Sequence, residues 1–129
     1  MPTLAAGARW PSAAALALCA SLGNGGAQAD DAMTRANRMA YDIAMRCFVA
    51  NGVARGNSRD AGDPTQAAAY EAKARRSFNA ASNLGDALGY TGTRINQDFG
   101  MAQADELPKL VNNAGYLKRT LATCASGGL

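Results

Sequence analysis

A helical spacing of small and apolar residues between Asp31 and Val53 is the feature that most restricts how this chain can fold. The inward positions recur every three or four residues, at Ala36, Ala40, Ile43, Cys47 and Ala50. Larger side chains widen the same stripe, at Met33, Tyr41, Ala44 and Phe48. Because this spacing puts them on one helical face, we predict a first helix over about 31–54 that packs in a bundle. The polar, glycine-bearing residues 54–62 indicate a loop after it.

A second helix is predicted at about 64–88 because both of its ends carry strong signals. Asp63 can cap the helix, Pro64 suits its first position, and Gln66 can complete a capping box. Gly89 suits the left-handed residue that follows a helix. The predicted buried face comprises Tyr70, Ala74, Phe78, Ala81, Leu84 and Leu88.

Two shorter helices are predicted in the last third of the chain, at about 93–107 and 114–125. Thr93 suits the N-cap of the first, whose apolar face is Ile95, Phe99 and Ala102. Pro108 should end or kink that helix, since proline lacks a backbone N–H. The inward positions of the last helix are Ala114, Leu117, Leu121 and Cys124. Residues 126–129 are expected to form a frayed tail.

Cys47 and Cys124 are expected to form a disulfide, because each lies on the inward face of its predicted helix and the chain carries an export signal. Closing so long a loop contributes about 4–5 kcal/mol in the chain-entropy treatment. No stretch alternates β-branched residues, so a sheet is not expected. The predicted fold is all-α: a small four-helix bundle stapled by this disulfide and preceded by a cleaved signal peptide.

Residues 1–29 have the pattern of a secretory signal peptide. A basic, acid-free start precedes the short apolar run at 12–22. The small residues that follow end in Ala29, so cleavage is expected between Ala29 and Asp30. The apolar run is too short for a membrane span, which needs about 20 residues. We therefore expect one α-helical domain at 30–129, without a membrane span, in the periplasm of a Gram-negative bacterium or outside the cell.

Composition excludes several classes of chemistry. The chain has 13 basic and 10 acidic residues, a net charge of +3, and no histidine. The charges are interspersed, whereas a nucleic-acid binder gathers its basic residues on one face. Without histidine there is no Ser-His or Cys-His activation, no usual zinc site and no His-ligated haem. We expect no cofactor, no metal site, no catalytic residue and no nucleic-acid partner.

A small group of carboxylates leaves one catalytic alternative open. Asp98, Asp105 and Glu106 lie close in sequence, and a carboxylate pair can hydrolyse glycosidic bonds when one pKa is raised. That interpretation predicts a small hydrolase of envelope polysaccharide. Ordinary solvated helix acids explain the same residues more simply, since Asp105 also stands four residues before Lys109.

The region around the second turn is a candidate partner surface. Tyr90, Arg94, Asn96 and Gln97 place an aromatic ring, a guanidinium and two amides in one short stretch. Polar-rimmed surfaces of this kind occur at protein interfaces. A capped turn with ordinary polar exposure is the alternative interpretation.

These patterns favour a secreted, non-enzymatic helical protein that works by binding another macromolecule, as an inhibitor, an immunity-like protein or an accessory protein. A periplasmic holdase is a further alternative. In outline, as an exported helical chain of about 100 residues with one disulfide, it resembles periplasmic acid-stress chaperones and toxin-neutralising immunity proteins. This resemblance is one of architecture alone, and architecture does not fix function.

Overall fold

A computed structural model describes the backbone of residues 15–129 and the side chains of residues 29–129. It contains four helices and, within that range, no strand: α1 (Ala15–Asp60), α2 (Pro64–Ala87), α3 (Gly92–Asn112) and α4 (Ala114–Ser126). The chain divides into two compact units, Met1–Met33 and Thr34–Leu129. The described residues of the first unit are helical; the second unit contains α2, α3, α4 and the α1 residues from Thr34 onward. The signal-peptide prediction rests mainly on side chains outside the described residues and stays a prediction.

The predicted all-α bundle and its cross-link are confirmed. Cys47 and Cys124 form a disulfide with their Cα atoms 5.7 Å apart, across a sequence separation of 77. Both cysteines are buried, at 0% and 1% exposure. The link therefore ties the middle of α1 to the last turn of α4 inside the bundle.

The predicted bounds of the first helix were wrong at both ends. The helix begins at Ala15 and ends at Asp60, so the loop expected at 54–62 is helical over most of its length. Ala54 and Ser58 are buried and extend the inward stripe by two further turns. The Ser58 hydroxyl donates to the carbonyl of Ala54 at 2.9 Å, so this polar residue is satisfied within the helix. These residues are therefore helical, despite their loop-like composition, because Ala54 and Ser58 are buried.

The predicted second helix agrees with α2 to within one residue. Oδ1 of Asp63 accepts a 2.9 Å hydrogen bond from the backbone N–H of Gln66, which is the expected cap. The capping box is not closed, because the N–H of Asp63 donates to the carbonyl of Ser58 instead. Successive contacts show that α2 runs antiparallel to α1. Phe48 contacts Phe78, and Arg55 lies near Glu71.

The third helix is longer than predicted, and its cap is a different threonine. Thr91, rather than Thr93, caps α3, because its hydroxyl accepts from the N–H of Arg94 at 3.2 Å. Pro108 does not end the helix, which continues to Asn112. Leu110, at 1% exposure, holds the turn beyond the proline in the core.

A single residue joins α3 to α4. Asn113 is the C-cap of α3, and its N–H donates to the carbonyl of Lys109 at 3.1 Å. Its side chain also caps α4, because Oδ1 accepts from the N–H of Tyr116 at 2.9 Å. The two helices therefore meet at a sharp, capped corner.

Three helix ends share one type of capping turn. Gly62, Gly89 and Gly128 have positive φ angles of 73°, 77° and 80°, which glycine adopts without strain. At the last of these turns, the N–H of Leu129 donates to the carbonyl of Cys124 at 2.9 Å. Leu129 also packs against the core, so the expectation of a frayed tail at 126–129 was wrong.

The core consists of two clusters. The first contains six buried residues: Tyr41, Ala44, Met45, Ala81, Ile95 and Phe99. The second contains Val49, Ala50 and Leu110, with Tyr116, Leu117 and Leu121 packed against it. Phe48 and Ala102 contact both clusters. These two side chains therefore connect the half of the core near Tyr41 with the half near α4.

Several positions predicted to face inward are exposed. Met33, Ile43 and Phe78 are 65%, 38% and 42% exposed, and Ala36 and Ala114 are exposed as well. On α2 the most deeply buried positions are small residues, including Ser77 and Gly85. Close helix packing therefore selects small residues and displaces the larger side chains to the edges of the stripe.

Candidate functional site

A group of charged and aromatic side chains surrounds an open groove of about 390 Å³, lined by residues of α1 and α3 and by Tyr90 of the turn before α3. We call it the Arg94 groove. Its cations are Arg38, Arg46 and Arg94, and its acids are Asp42, Asp98, Asp105 and Glu106. Tyr41, Tyr90, Met45, Met101 and Ala102 complete the lining. Two of the four residues predicted as a partner surface, Tyr90 and Arg94, lie in this groove.

Arg94 is held in one position by an aromatic ring and a carboxylate. Its guanidinium carbon lies 3.7 Å from the centre of the Tyr90 ring, a cation–π contact. Its Nε lies 3.5 Å from Oδ2 of Asp98. The side chain is nevertheless 56% exposed. Tyr90 in turn meets Tyr41 edge-to-face, with ring centres 5.3 Å apart.

Tyr41 connects this cluster to the core. Its hydroxyl donates a 2.7 Å hydrogen bond to Oδ2 of Asp98, across 57 residues of sequence. Burial, and then the bond to the Asp98 carboxylate, raise the pKa of the Tyr41 phenol. The same oxygen of Asp98 therefore holds both a buried phenol of α1 and the exposed guanidinium of Arg94 on α3.

Glu106 forms the second polar cluster, at the other end of the groove. Its Oε2 accepts a 2.6 Å hydrogen bond from the hydroxyl of Tyr116. Its Oε1 lies 3.4 Å from Nε of Arg46 and 3.5 Å from Nζ of Lys109. Burial alone would raise the pKa of Glu106, but the Tyr116 bond and the two cations outweigh it and lower that pKa. The carboxylate is thus kept ionised while it ties α3 to α1 and α4.

The other two residues predicted as part of the partner surface do not join the groove. Asn96 and Gln97 are exposed on α3 but are not among the residues that line it. Arg94, Asp98 and Met101 are spaced by four and three residues, so they share one face of α3. Asn96 and Gln97 lie between them in sequence but outside that face. Closeness in sequence was therefore a poor guide within a helix.

Two residues of the groove make contacts that the sequence interpretation did not include. Tyr41 was assigned to the buried stripe of the first helix, which is correct for its ring but omits its hydroxyl. Arg46 lies beside Glu106 of α3. Neither long-range contact has a local sequence signal. An aromatic hydroxyl on a buried stripe is the one clue that a polar partner must exist.

Two carboxylates of the groove are held by tyrosine hydroxyls and cations. Asp98 and Glu106 each accept from a tyrosine hydroxyl and lie beside at least one cation. Asp105, by contrast, is exposed at the edge of the groove. The arrangement offers fixed charges and aromatic faces to a ligand on an open surface.

Among the described residues, no three cysteine, aspartate or glutamate side chains lie together as a metal site. No helix in that part of the chain has the length and apolar character needed to span a membrane. No known protein family, curated protein or solved structure matches this chain.

Proposed function

We propose that the protein is an exported, non-enzymatic helical protein that binds a partner protein through the Arg94 groove. The observation that carries the proposal is the position of Arg94, stacked 3.7 Å from the Tyr90 ring while remaining 56% exposed. Stacking and the Asp98 contact fix the guanidinium before a partner arrives. Less side-chain entropy is then lost on binding, which favours affinity.

The residue types of the groove suit a protein interface. Arginine, tyrosine and methionine are enriched where protein partners meet, and arginine and tyrosine are frequent hot spots. Met101, 63% exposed, adds a flexible apolar side chain beside Arg94. An open, mixed-charge groove matches a protein surface better than it matches a small ligand, which usually lies in a concave, mostly apolar pocket.

The carboxylate hydrolase is less well supported. A general acid for glycoside hydrolysis needs a raised pKa, so that it carries a proton at the working pH. The pKa of Glu106 is lowered by Tyr116, Arg46 and Lys109 despite its burial. This carboxylate is therefore poorly suited to donate a proton to a leaving group.

A retention experiment with matched arginine variants tests the proposed function. Oxidised protein beginning at Asp30 is immobilised and exposed to envelope extract, in parallel with Arg94→Ala and Arg76→Ala variants. Arg76 is exposed on α2 and lies outside the groove, so it controls for loss of one surface charge. We expect the wild type and Arg76→Ala to retain the same partner and Arg94→Ala to lose at least about tenfold in affinity. Equal retention by all three would overturn the assignment of the groove.

The holdase alternative has one specific observation in its favour. Met39 and Met101 are 66% and 63% exposed, and methionine-rich surfaces adapt to varied clients. Acid would also weaken the Glu106 cluster, since protonation removes the charge that holds α3 to α1 and α4. A holdase should suppress the light scattering of an aggregating client increasingly as the pH falls. Scattering that is unchanged at every pH would exclude it.

The export part of the proposal has its own test. The buried Cys47–Cys124 disulfide supports an oxidising compartment such as the periplasm. The only tryptophan, Trp10, belongs to the predicted signal peptide. Mature protein should therefore begin at Asp30 and lack tryptophan fluorescence. An intact N-terminus in the mass spectrum would contradict cleavage.

A further inference from the structure

A small pocket of about 220 Å³ lies beside the disulfide and is lined by residues of α1 and α4. The lining residues of α1 are Ile43, Arg46 and Cys47. Those of α4 are Tyr116, Arg119, Thr120, Thr123 and Cys124. We call it the disulfide pocket. Pockets for drug-sized ligands measure about 300–1,000 Å³, so this one suits a smaller group.

The charge of the disulfide pocket is of one sign. Both charged residues of its lining are arginines, and no acid of the described residues lines it. Behind Arg46, Oε1 of Glu106 is shared with Lys109, so one carboxylate faces two cations. Arg119 has no carboxylate within 4 Å in the described part of the chain, and residues 1–28 contain no acid. Positive charge is therefore in surplus at this pocket, and an anion would complement it.

The hydroxyl groups of the lining have no proton left for a ligand. Each carries one O–H, and each donates it to an oxygen of the protein. Tyr116 donates to the Glu106 carboxylate, and Thr120 and Thr123 donate to carbonyl oxygens of the preceding turn of α4. Hydrogen bonds to a bound anion would therefore come from the two guanidinium groups, whose planar arrangement of donors matches a carboxylate.

Gly115 leaves room for the side chain of Arg119. A Cβ atom at this position would lie 3.3 Å from Nη1 of Arg119 and 3.3 Å from Oδ1 of Asn113, which is tighter than most contacts of a Cβ. Glycine weakens a helix relative to alanine, yet here it stands in the first turn of α4. The guanidinium can therefore lie close to the backbone of that turn.

The disulfide pocket also has an apolar side. Ile43 lines it while remaining 38% exposed. Cys47 and Cys124 line it as a disulfide, which carries no charge and no hydrogen-bond donor. A fully polar anion such as phosphate would leave this side uncovered. A carboxylate attached to a short hydrocarbon chain would complement both the guanidinium groups and the apolar side.

We propose that the disulfide pocket binds a small carboxylate that carries a short apolar group, with the carboxylate at Arg46 and Arg119 and the apolar group against Ile43 and the disulfide. A free short-chain acid and the apolar C-terminal residue of a peptide share this chemistry. Arg46 also lines the Arg94 groove, but Arg119 does not. Arg119 therefore distinguishes this site from the one in the proposed function.

A titration of oxidised, ¹⁵N-labelled protein followed by NMR tests the ligand class. The probes are hexanoate and N-acetyl-leucine, with hexanamide and N-acetyl-leucinamide as their uncharged counterparts. Each carboxylate should shift the backbone amide signals of Thr120 and Thr123 to saturation and bind at least about tenfold more tightly than its amide. Acetate, which keeps the charge without the hydrocarbon chain, should bind more weakly than hexanoate. Tighter binding of hexanoate or of N-acetyl-leucine would identify the source as a free acid or a peptide C-terminus, respectively, and either order supports the proposal.

Two neighbouring cations provide matched variants. Arg119→Gln and Lys118→Gln each remove one exposed positive charge from α4, but Lys118 does not line the pocket. Arg119→Gln should weaken hexanoate binding at least about tenfold, whereas Lys118→Gln should change it by no more than about twofold. Arg94→Ala should bind hexanoate normally, so failure of either proposal leaves the other to its own test.

Four results would overturn the proposal. Equal binding of hexanoate by Arg119→Gln and Lys118→Gln would exclude the role of Arg119. Equal binding of hexanoate and hexanamide would exclude recognition of charge. Binding of inorganic phosphate as tight as that of hexanoate would exclude a contribution from the apolar side. Absence of saturable shifts at Thr120 and Thr123 with every probe would exclude the pocket itself.

Discussion

The hydroxyl of Tyr116 donates a 2.6 Å hydrogen bond to Oε2 of Glu106, and this bond joins α4 to α3 at the point where Arg46 of α1 also approaches. Three helices thus share one carboxylate that is only 10% exposed. The stability of the bundle should therefore vary with the ionisation of Glu106.

Glu106 predicts a loss of stability in acid. Its pKa is lowered in the folded chain from the ordinary 4.5, because Tyr116, Arg46 and Lys109 outweigh the effect of burial. The stabilising contribution is therefore complete above pH 4.5 and is lost as the pH falls through the lowered folded pKa. Glu106→Gln should lower the free energy of unfolding by about 1–3 kcal/mol at neutral pH and by much less in acid. Urea unfolding from about pH 3 to 7 measures this difference.

Asp105→Asn is the control for that experiment. Asp105 is adjacent and exposed, so its removal should change the unfolding free energy by no more than about 0.5 kcal/mol. A deficit for Glu106→Gln that stays the same size at every pH would show that packing, rather than charge, is responsible.

The close packing around Gly85 predicts that alanine is poorly tolerated at this position. A Cβ at this position would lie 2.7 and 2.8 Å from two side-chain carbons of Ile95 and 3.1 Å from the Tyr41 ring. Gly85→Ala should therefore destabilise the protein by about 1–3 kcal/mol, even though alanine favours helix. Gly100→Ala is the matched control, because nothing lies within 4 Å and the helix should gain up to about 1 kcal/mol. The thermal unfolding midpoint should be higher for Gly100→Ala than for wild type and lower for Gly85→Ala. The reverse order would contradict the close packing at Gly85.

The surroundings of Tyr41 predict that its phenol ionises at a higher pH than an ordinary tyrosine. Burial and the bond to Asp98 raise its pKa, so its stabilising contribution is present below the unfolded tyrosine pKa and is lost as the pH rises towards the folded value. Tyr41→Phe should lower the free energy of unfolding by about 1–2 kcal/mol at neutral pH. Tyr70→Phe should have little effect, because Tyr70 has no hydrogen bond from its hydroxyl among the described residues. In a pH titration followed by tyrosinate absorbance, the component that ionises at the highest pH should be lost only in the Tyr41→Phe variant.

The capping role of Asn113 predicts that its replacement by alanine costs more stability than the same change at the adjacent Asn112. Its side chain caps α4, and replacing a cap with alanine costs about 0.5–2 kcal/mol. Asn112 is the last residue of α3, is exposed and caps no helix. Asn113→Ala should therefore unfold at lower urea than wild type, while Asn112→Ala should stay close to it. Equal effects of the two changes would contradict the shared-cap geometry.

The disulfide predicts both a cross-linked peptide and resistance to reductant. Non-reducing mass spectrometry should find Cys47 and Cys124 in one linked peptide, two hydrogens lighter than the dithiol. Because both cysteines are buried, reductant should act slowly until denaturant opens the bundle. The double Cys→Ala variant should lose about 2–5 kcal/mol of unfolding free energy. Rapid alkylation of native, unreduced protein would contradict the link.

The elements predicted best from sequence are those with local chemical signals. Asp63, Pro64 and Gly89 mark the ends of α2, and the structure uses each of them as expected. The end of α1 was missed because the residues from 54 to 60 are polar and contain glycine. What keeps them helical is the burial of Ala54 and Ser58 against the rest of the bundle, which no local pattern reveals.

The candidate site could be predicted only in part, for the same reason. Tyr90 and Arg94 are close in sequence, so their pairing was open to prediction. The contacts of Tyr41 with Asp98 and of Arg46 with Glu106 join distant parts of the chain and depend on how the helices pack.

The division of the core into two clusters has a consequence for how the native protein opens. Phe48 and Ala102 contact both clusters, and Leu129 packs against the first, so the half near α4 can loosen once these few contacts are disturbed. Under reducing conditions, amide hydrogens of α4 and of the last turns of α3 should exchange with deuterium faster than those of the α1–α2 hairpin. In a reducing cytosol the chain would then keep half of its core and expose the apolar face of α4 to proteases.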